Sequence, residues 1–594
     1  VRHEGQWTTP LLITVRNGRE NVTRFLLEMG KIEVDTTGTV VINKEITKSA
    51  SPLWCAARLG NFALVQLLVE NGADVNHKTS LSSTPLNAAC HNSVIMVKYL
   101  IDKGADSSLT DSNGYDLLLN SFVCGSKDVF DYLLSRNMDL SAQDKQGCTL
   151  LHKAAEKGNV AMVDRLLKAG VAITKTKVGH TSLIVAAEYK QSDVVEHFIK
   201  TSLCSRQEKI DALELLGATF GCHPENQDSR KAMDYFRRAM KERFSEGMEP
   251  LTKSDIHTVE AYGILKESES LSDLESLSRD KDTLYSESLA VRERILGPLC
   301  FTVPCFISEY GTMCGNNGKY EQCISLWMHS IPMFIRQRKP PFDTFVLLLQ
   351  IFSEMFAIER KPEFKTVLAC LDLVTEETQV QLEKSEEKPH IDEEDDDKMP
   401  YHPSSVSILQ VGLFFMVTGL KLAVTEEDKN LLKQSTKKLV DERANCGGYT
   451  LLHYAVDFET GTLNNTIRTL VSFPNADLCA LLLESGADED VNSSNQQGRG
   501  PLHLIARYSN SVTDLQCLRR ILNLLIEHGA HIDASDNEGR TPLEVCATTV
   551  AEVILRRHQR NITLKCLAAR ILRALKIQVG DGISSELNNF IKMH

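Results

Sequence analysis

The feature that most constrains this chain is a short string that returns at an almost fixed interval. It reads Thr9-Pro10-Leu11, Ser51-Pro52-Leu53 and Thr84-Pro85-Leu86, and in weaker form Asp116-Leu117-Leu118, Thr149-Leu150-Leu151 and Thr181-Ser182-Leu183. Successive copies stand 42, 33, 32, 33 and 32 residues apart, the long interval carrying an insertion around Lys31 to Lys48. Proline in second place fixes φ at the first helical position, where its missing N–H costs nothing. Asp-x-x-Gly just upstream, at Asp111 to Gly114 and Asp144 to Gly147, reads as the tight turn between units. A second helix follows, with Val65, Leu67, Leu68 and Val69 at helical spacing. Gly72-Ala73-Asp74 and Gly104-Ala105-Asp106 end such helices on a residue that tolerates the left-handed region. One unit of this size cannot bury its apolar face alone, so the copies must stack.

A period near 33 that opens on Thr-Pro-Leu is the ankyrin-repeat signature. Residues 1–203 are therefore expected to hold about six repeats, the first of them truncated. The string returns as Thr450-Leu451-Leu452-His453, Gly500-Pro501-Leu502-His503 and Thr541-Pro542-Leu543. Gly486-Ala487-Asp488 and Gly529-Ala530-His531 supply matching helix ends, which predicts a second block of about three repeats over residues 444–548. Between the blocks the periodicity stays helical. Ala232, Tyr235, Phe236 and Ala239, and again Gly318, Tyr320 and Leu326, resemble the small-aromatic pattern of a tetratricopeptide helix. That predicts a TPR-like region over 206–380 and a further helical segment over 404–443, with a plain helical-hairpin bundle as the alternative. Residues 381–403 read as an acidic linker. From Glu383 to Asp397 there are nine acids and two lysines, and Asp392 to Asp397 are consecutive acids. Such a run repels itself and buries nothing. The fold class is all-α, a solenoid built of repeats.

Composition narrows the function. A chain of 594 residues exceeds one core, and 42% hydrophobic residues exclude global disorder. A net charge of -13 argues against a nucleic-acid partner held by a basic face. The 16 cysteines include no C-x-x-C pair, and several, such as Cys55, Cys370, Cys479 and Cys546, sit in apolar stretches. Buried free thiols fit a reducing compartment, so the cytoplasm is expected, with the nucleus as the other choice. The longest apolar run, Ile408 to Leu420, is interrupted by Gln410, Gly412 and Gly419, so no membrane span is expected. The chain opens on Val1, and an incomplete N-terminus is expected.

Catalytic motifs are absent: no G-x-x-x-x-G-K-[ST], G-x-G-x-x-G, H-E-x-x-H or G-x-S-x-G occurs. His152, His453 and His503 each hold the fourth place of a repeat, where an imidazole hydrogen-bonds within the turn and helix start. Cys90-His91 and Cys222-His223 are adjacent pairs that make no four-ligand site, and Asp536 to Gly539 matches the repeat turn rather than a calcium loop. No metal, cofactor or catalytic residue is expected. Recognition remains, and Trp54, an aromatic at the fourth motif place, is either a groove anchor or packing against the next repeat.

Beyond the last repeat, Asn561 to Leu575 reads as an amphipathic helix with Ile562, Cys566, Leu567 and Ala569 on one face. A cap on the solenoid is the plain reading. However, Ile562-x-x-x-Cys566-Leu567 is similar to the elongin-binding BC box, and Ile583-x-x-x-Leu587-x-x-x-Ile591 is similar to a cullin-selecting box. Together they make a VHL-box arrangement over residues 549–594. Three strings complete the likeness: Ala212-Leu213-Glu214-Leu215-Leu216-Gly217-Ala218-Thr219-Phe220, Arg292-Glu293-Arg294-Ile295-Leu296-Gly297-Pro298 and Cys566-Leu567-Ala568-Ala569-Arg570. The chain resembles the Fem-one (feminization) family along nearly its whole length.

That resemblance implies a non-catalytic substrate receptor of a cullin-two RING ubiquitin ligase, assembled through elongin C and elongin B. Its substrates would carry C-terminal degrons, often ending in Arg, and would be sent for ubiquitination and proteasomal degradation. Carried onto this sequence, the degron-binding residues are Asn43, Trp54, Ser83 and Asn92. Ile562, Cys566, Leu567 and Ala569 would meet elongin, and Ile583, Leu587 and Ile591 the cullin. A homodimer stays open. Two positions depart from the family. Asn43 and Asn92 stand where aspartates would pair with a terminal guanidinium, and Ser584 stands where the cullin box usually has proline. The competing reading is a non-catalytic interaction scaffold whose last helix only caps the solenoid.

Overall fold

The first helices of the amino-terminal repeats begin where the recurring string places an oxygen acceptor ahead of an apolar run. Thr9 Oγ1 accepts from Leu12 N at 3.2 Å, Ser51 Oγ from Trp54 N at 3.2 Å, and Asp116 Oδ1 from Leu119 N at 2.7 Å. Each bond satisfies a donor that the first turn leaves bare. These contacts come from a computed structural model that describes residues 2–3, 6–30, 32–42, 44–136, 138–222, 227–245, 249–253, 260–264, 267–277, 280–386, 407–462, 472–509 and 515–558. The chain divides into two compact units, residues 1–259 with 264–300, and residues 260–263 with 301–594.

In the first unit, Pro10–Arg16, Pro52–Leu59, Pro85–Ala89, Leu117–Cys124, Leu150–Glu156 and Ser182–Glu188 pack on one another in succession. Each also packs on the helix that follows it, from Glu20–Glu28 to Ser192–Lys200. The interior is made by Leu11, Leu53, Leu86, Leu118, Leu151 and Leu183, the leucines of the recurring string, all buried. The unit opening at Thr9 has both of its helices. The 42-residue interval holds a β-hairpin, Gly38–Ile42 paired antiparallel with Glu45–Ala50. Among the described residues the only other strand pair is Arg2–His3 with Gln6–Trp7.

The recurring turns also have a local cause. Asp111 Oδ1 accepts from Asn113 N and Tyr115 N, both at 2.9 Å, and Gly114 takes φ +81°. A Cβ at Gly114 would meet the Lys145 nitrogen at 2.8 Å, so the turn of one repeat lies directly on the next. His152 links units in the same way: its Nδ1 accepts from Thr149 N at 3.1 Å while Nε2 lies 3.3 Å from the His180 carbonyl.

Past the sixth repeat, Arg206–Gly221, Ser229–Arg243 and Lys281–Leu296 pack together, the first of them on Ser182–Glu188. The helices come close at Gly217, where a Cβ would meet Phe236 Cδ1 at 3.0 Å. Their interior carries charge. Arg243 grips Glu214 with bonds of 2.8 and 2.9 Å, Arg294 reaches Glu214 at 2.7 Å and Glu267 at 2.9 Å, and Lys253 reaches Glu267 at 2.8 Å. Burial alone would raise the Glu214 carboxyl. The Arg243 hydrogen bonds and the Arg294 charge overcome it and hold the pKa at about 2.

The second unit begins with the hairpin Thr302–Asn316 and Tyr320–Arg336, turned at Gly318 with φ +73°. Phe342–Ala357, Phe364–Glu386, Ile408–Leu422 and Glu426–Asp441 continue the bundle, and Phe345, Phe352 and Phe415 form a buried edge-to-face group at its centre. Phe364–Glu386 runs past residue 381, so the expected linker boundary is too early by six residues. The helices on the far side of that linker pack back on it, which makes 404–443 part of the middle bundle rather than a separate segment. The second ankyrin block follows as Leu451–Val456, Ala476–Glu484, Pro501–Ala506 and Leu515–Glu527. His453 and His503 repeat the linking device, with Nε2 at 3.1 Å from the Arg499 carbonyl and 3.2 Å from the Arg540 carbonyl. The third expected repeat differs. Thr541-Pro542-Leu543 opens no helix; its Thr541 N and Oγ1 both donate to Glu544 Oε2, closing a tight turn. Thr549–His558 then packs on Leu515–Glu527 through Ala551 and Leu555. Among the described residues no helix is long and apolar enough to cross a membrane.

Candidate recognition groove

Three of the four degron-binding candidates can be placed, and they fall on consecutive repeats. Asn43 lies outside the described residues. Trp54 stands in the first turn of Pro52–Leu59 and is only 5% exposed. Its Nε1 donates to Ser83 Oγ at 3.0 Å across 29 residues, which ties two repeats together beneath the groove. Ser83 is thereby engaged as an acceptor while remaining half-buried.

Asn92 is exposed, and its amide is committed to the chain itself. Nδ2 donates to the Ala57 carbonyl at 2.8 Å and to the Arg58 carbonyl at 3.0 Å. These are carbonyls in the last turn of Pro52–Leu59, that of Ala57 also accepting from the capping Gly60 N at 3.2 Å. The closeness has a backbone requirement: Gly60 takes φ +77°, and a Cβ there would meet Asn92 Cγ at 3.2 Å. An aspartate could not make this cap, since it offers no donor to either carbonyl.

Sequence reasoning missed Arg58. Its guanidinium lies 3.5 Å from Glu45 on the hairpin, with the Arg58 side chain 18% exposed and the Glu45 side chain 75% exposed. A signal was present, because Arg16, Arg58 and His91 all occupy the eighth place of their units. Burial first, and the Arg58 charge second, hold the His91 pKa below its ordinary value, so this imidazole is neutral at pH 7. His91 Nε2 lies 3.2 Å from Cys124 Sγ on the next repeat. The second and third repeats thus carry a cation, a neutral imidazole, a hydroxyl and an amide that is already engaged. Ile562, Cys566, Leu567, Ala569, Ile583, Leu587 and Ile591 lie outside the described residues.

Comparison with known proteins bears on both blocks. Residues 2–79, 53–144, 121–208 and 467–565 match a family model described as ankyrin repeats (3 copies). The chain is 31% identical to Protein fem-1 homolog A of Danio rerio over 426 residues, 70% of this chain and 66% of that one. It is 28% identical to Protein fem-1 homolog A-like of Mus musculus over 630 residues, 99% of this chain and 94% of that one. A fem-1 homolog of Drosophila melanogaster is 29% identical over 638 residues, with the same coverage.

Proposed function

Because the chain belongs to the fem-1 homolog family of ankyrin-repeat proteins, we propose that it is the substrate-recognition subunit of a cullin-two RING ubiquitin ligase. The observation that carries the reading is the pairing of near full-length likeness with Ile562-x-x-x-Cys566-Leu567 and Ile583-x-x-x-Leu587-x-x-x-Ile591 after the last repeat. The terminal segment engages elongin C, with elongin B beside it, and the cullin carries the RING protein. The first ankyrin groove holds the C-terminus of a substrate. Catalysis is positional: tethering raises the effective concentration of substrate lysines at the E2-ubiquitin conjugate. No side chain of this chain enters the transfer.

The test is co-purification of the full chain with elongin B, elongin C and the cullin, beside a Cys566→Asp variant. A charged side chain in place of a small apolar one pays full desolvation at the elongin surface. The unaltered chain is expected to retain both elongins and the variant to lose them. Equal recovery by the two, or no elongin with either, sinks the proposal in favour of a scaffold without a ligase.

A further inference from the structure

Three potential metal ligands from separate parts of the first unit converge beside the sixth repeat. His180 precedes the helix Ser182–Glu188, Glu188 ends it, and Cys300 follows the helix Lys281–Leu296. The turn that returns Cys300 is closed by its own N donating to the Gly297 carbonyl at 3.2 Å, with Gly297 at φ +75°. A ring nitrogen of His180, a carboxylate oxygen of Glu188 and Cys300 Sγ all lie within 4.8 Å of one another, the one such trio among the described residues. His180 is 6% and Cys300 7% exposed, and Glu188 is half-buried.

We infer that His180, Glu188 and Cys300 form a binding site for a divalent transition ion, best suited to Zn2+, with a fourth position filled by water. The donor set decides the ion. One imidazole nitrogen, one carboxylate oxygen and one thiolate suit a borderline cation, and Ca2+ or Mg2+ would not accept the sulfur. One edge of the trio already has the spacing that zinc needs, and the imidazole nitrogen lies within 4.8 Å of both its ends. Bonds of about 2.0–2.3 Å in a tetrahedron set ligand atoms about 3.3–3.8 Å apart, and Cys300 Sγ already lies 3.4 Å from Glu188 Oε1. The imidazole is oriented from behind: His180 Nε2 donates to the Leu296 carbonyl at 2.9 Å, which leaves the lone pair on Nδ1. Its main chain is held as well, with N donating to Thr176 Oγ1 at 3.1 Å.

Without metal, the Cys300 thiol donates to the Glu188 carboxylate. On binding, the S–H bond breaks, its proton passes to solvent and a sulfur–zinc bond forms, with no change of oxidation state. The ion would pin the sixth repeat to the end of Lys281–Leu296, elements separated by 112 residues between Glu188 and Cys300.

The full-length chain, stripped with chelator and titrated with Zn2+ alone, is expected to bind one equivalent and release one proton, read by calorimetry in buffers of different ionisation enthalpy. Loading with Co2+ should give a thiolate charge-transfer band in the near ultraviolet. Cys300→Ser, which keeps size and hydrogen bonding, should lose that band and the equivalent, and Glu188→Gln should weaken binding on the order of tenfold or more. Circular dichroism confirms that each variant is folded, and Glu188→Gln, half-exposed, serves if Cys300→Ser does not fold. A chain that takes up neither ion overturns the site. So does an equivalent, bound by any of the other cysteines, that survives Cys300→Ser and Glu188→Gln unchanged.

Discussion

At the scale of single residues, the degron specificity of the proposed groove turns on Asn92 and Arg58. A terminal Arg is recognised through a bidentate carboxylate pair, and Asn92 supplies only an amide that is already donating to Ala57 and Arg58. Arg58 adds a guanidinium to the same neighbourhood, with Glu45, largely exposed, as its partner. In a library of C-terminal peptides, changing a terminal Arg to Gln is therefore expected to alter affinity by less than about threefold, since an exposed charge pair is worth well under 1 kcal/mol. A preference on the order of a hundredfold for Arg would show that other carboxylates complete the pocket. Asn92 was reached through the family resemblance, which carried a degron-binding position onto it. The engagement of Asn92 was not, because it depends on the left-handed Gly60 bringing a neighbouring helix end within reach. Arg58 was overlooked for a similar reason: the register marks the eighth place, but the direction of a long side chain follows from the hairpin beside it.

At the scale of elements, periodic features were readable and pairwise ones were not. The six helix pairs follow from local signals within one unit, an acceptor and an apolar run in each and a proline in three. The string Thr541-Pro542-Leu543 carries the same signals, and Thr541 N even donates to Glu544 Oε2 as in a helix-starting cap, yet the chain makes a turn there and no helix. The hairpin Gly38–Ala50 appeared only as extra length. Likewise, the glycines that break the apolar run at 408–420 are contact points: a Cβ on Gly412 would meet Leu439 at 2.9 Å, and one on Gly419 would meet Leu432 at 2.7 Å. The two family strings of the middle region gain a physical account here, because Glu214 of one is paired with Arg294 of the other, and Arg292 Nη1 donates to Thr219 Oγ1 at 2.9 Å. Glu214→Gln leaves the buried Arg243 without its carboxylate and Arg294 with Glu267 alone. It is expected to cost about 3–5 kcal/mol, read as a fall in the urea midpoint. The Arg238–Glu196 pair is as short, at 2.6 Å, but its side chains are 37% and 28% exposed, so Glu196→Gln should cost less than about 1 kcal/mol. Equal losses would mean that burial does not set the worth of these pairs.

At the scale of the whole molecule, the charge that seems to describe the protein describes one stretch of it. Glu383 to Asp397 holds nine acids against two lysines in a chain whose total is -13. The stretch nevertheless does not divide the second unit. Ahead of it, Phe364–Glu386 packs on both Ile408–Leu422 and Glu426–Asp441 from behind it. Lys438 Nζ meets Asp372 at 2.9 Å, and Gln379 Nε2 meets Glu442 at 2.7 Å. These polar contacts are exposed and contribute little. The hold comes from Val367, Cys370, Leu371 and Val374, all fully buried, at roughly 1.5–3 kcal/mol for each large side chain. A protease site inserted within 392–397 and cut should therefore give two fragments that still elute together on gel filtration without denaturant, and separate only in urea. Fragments that part in buffer would mean that covalent continuity, not packing, joins the two sides.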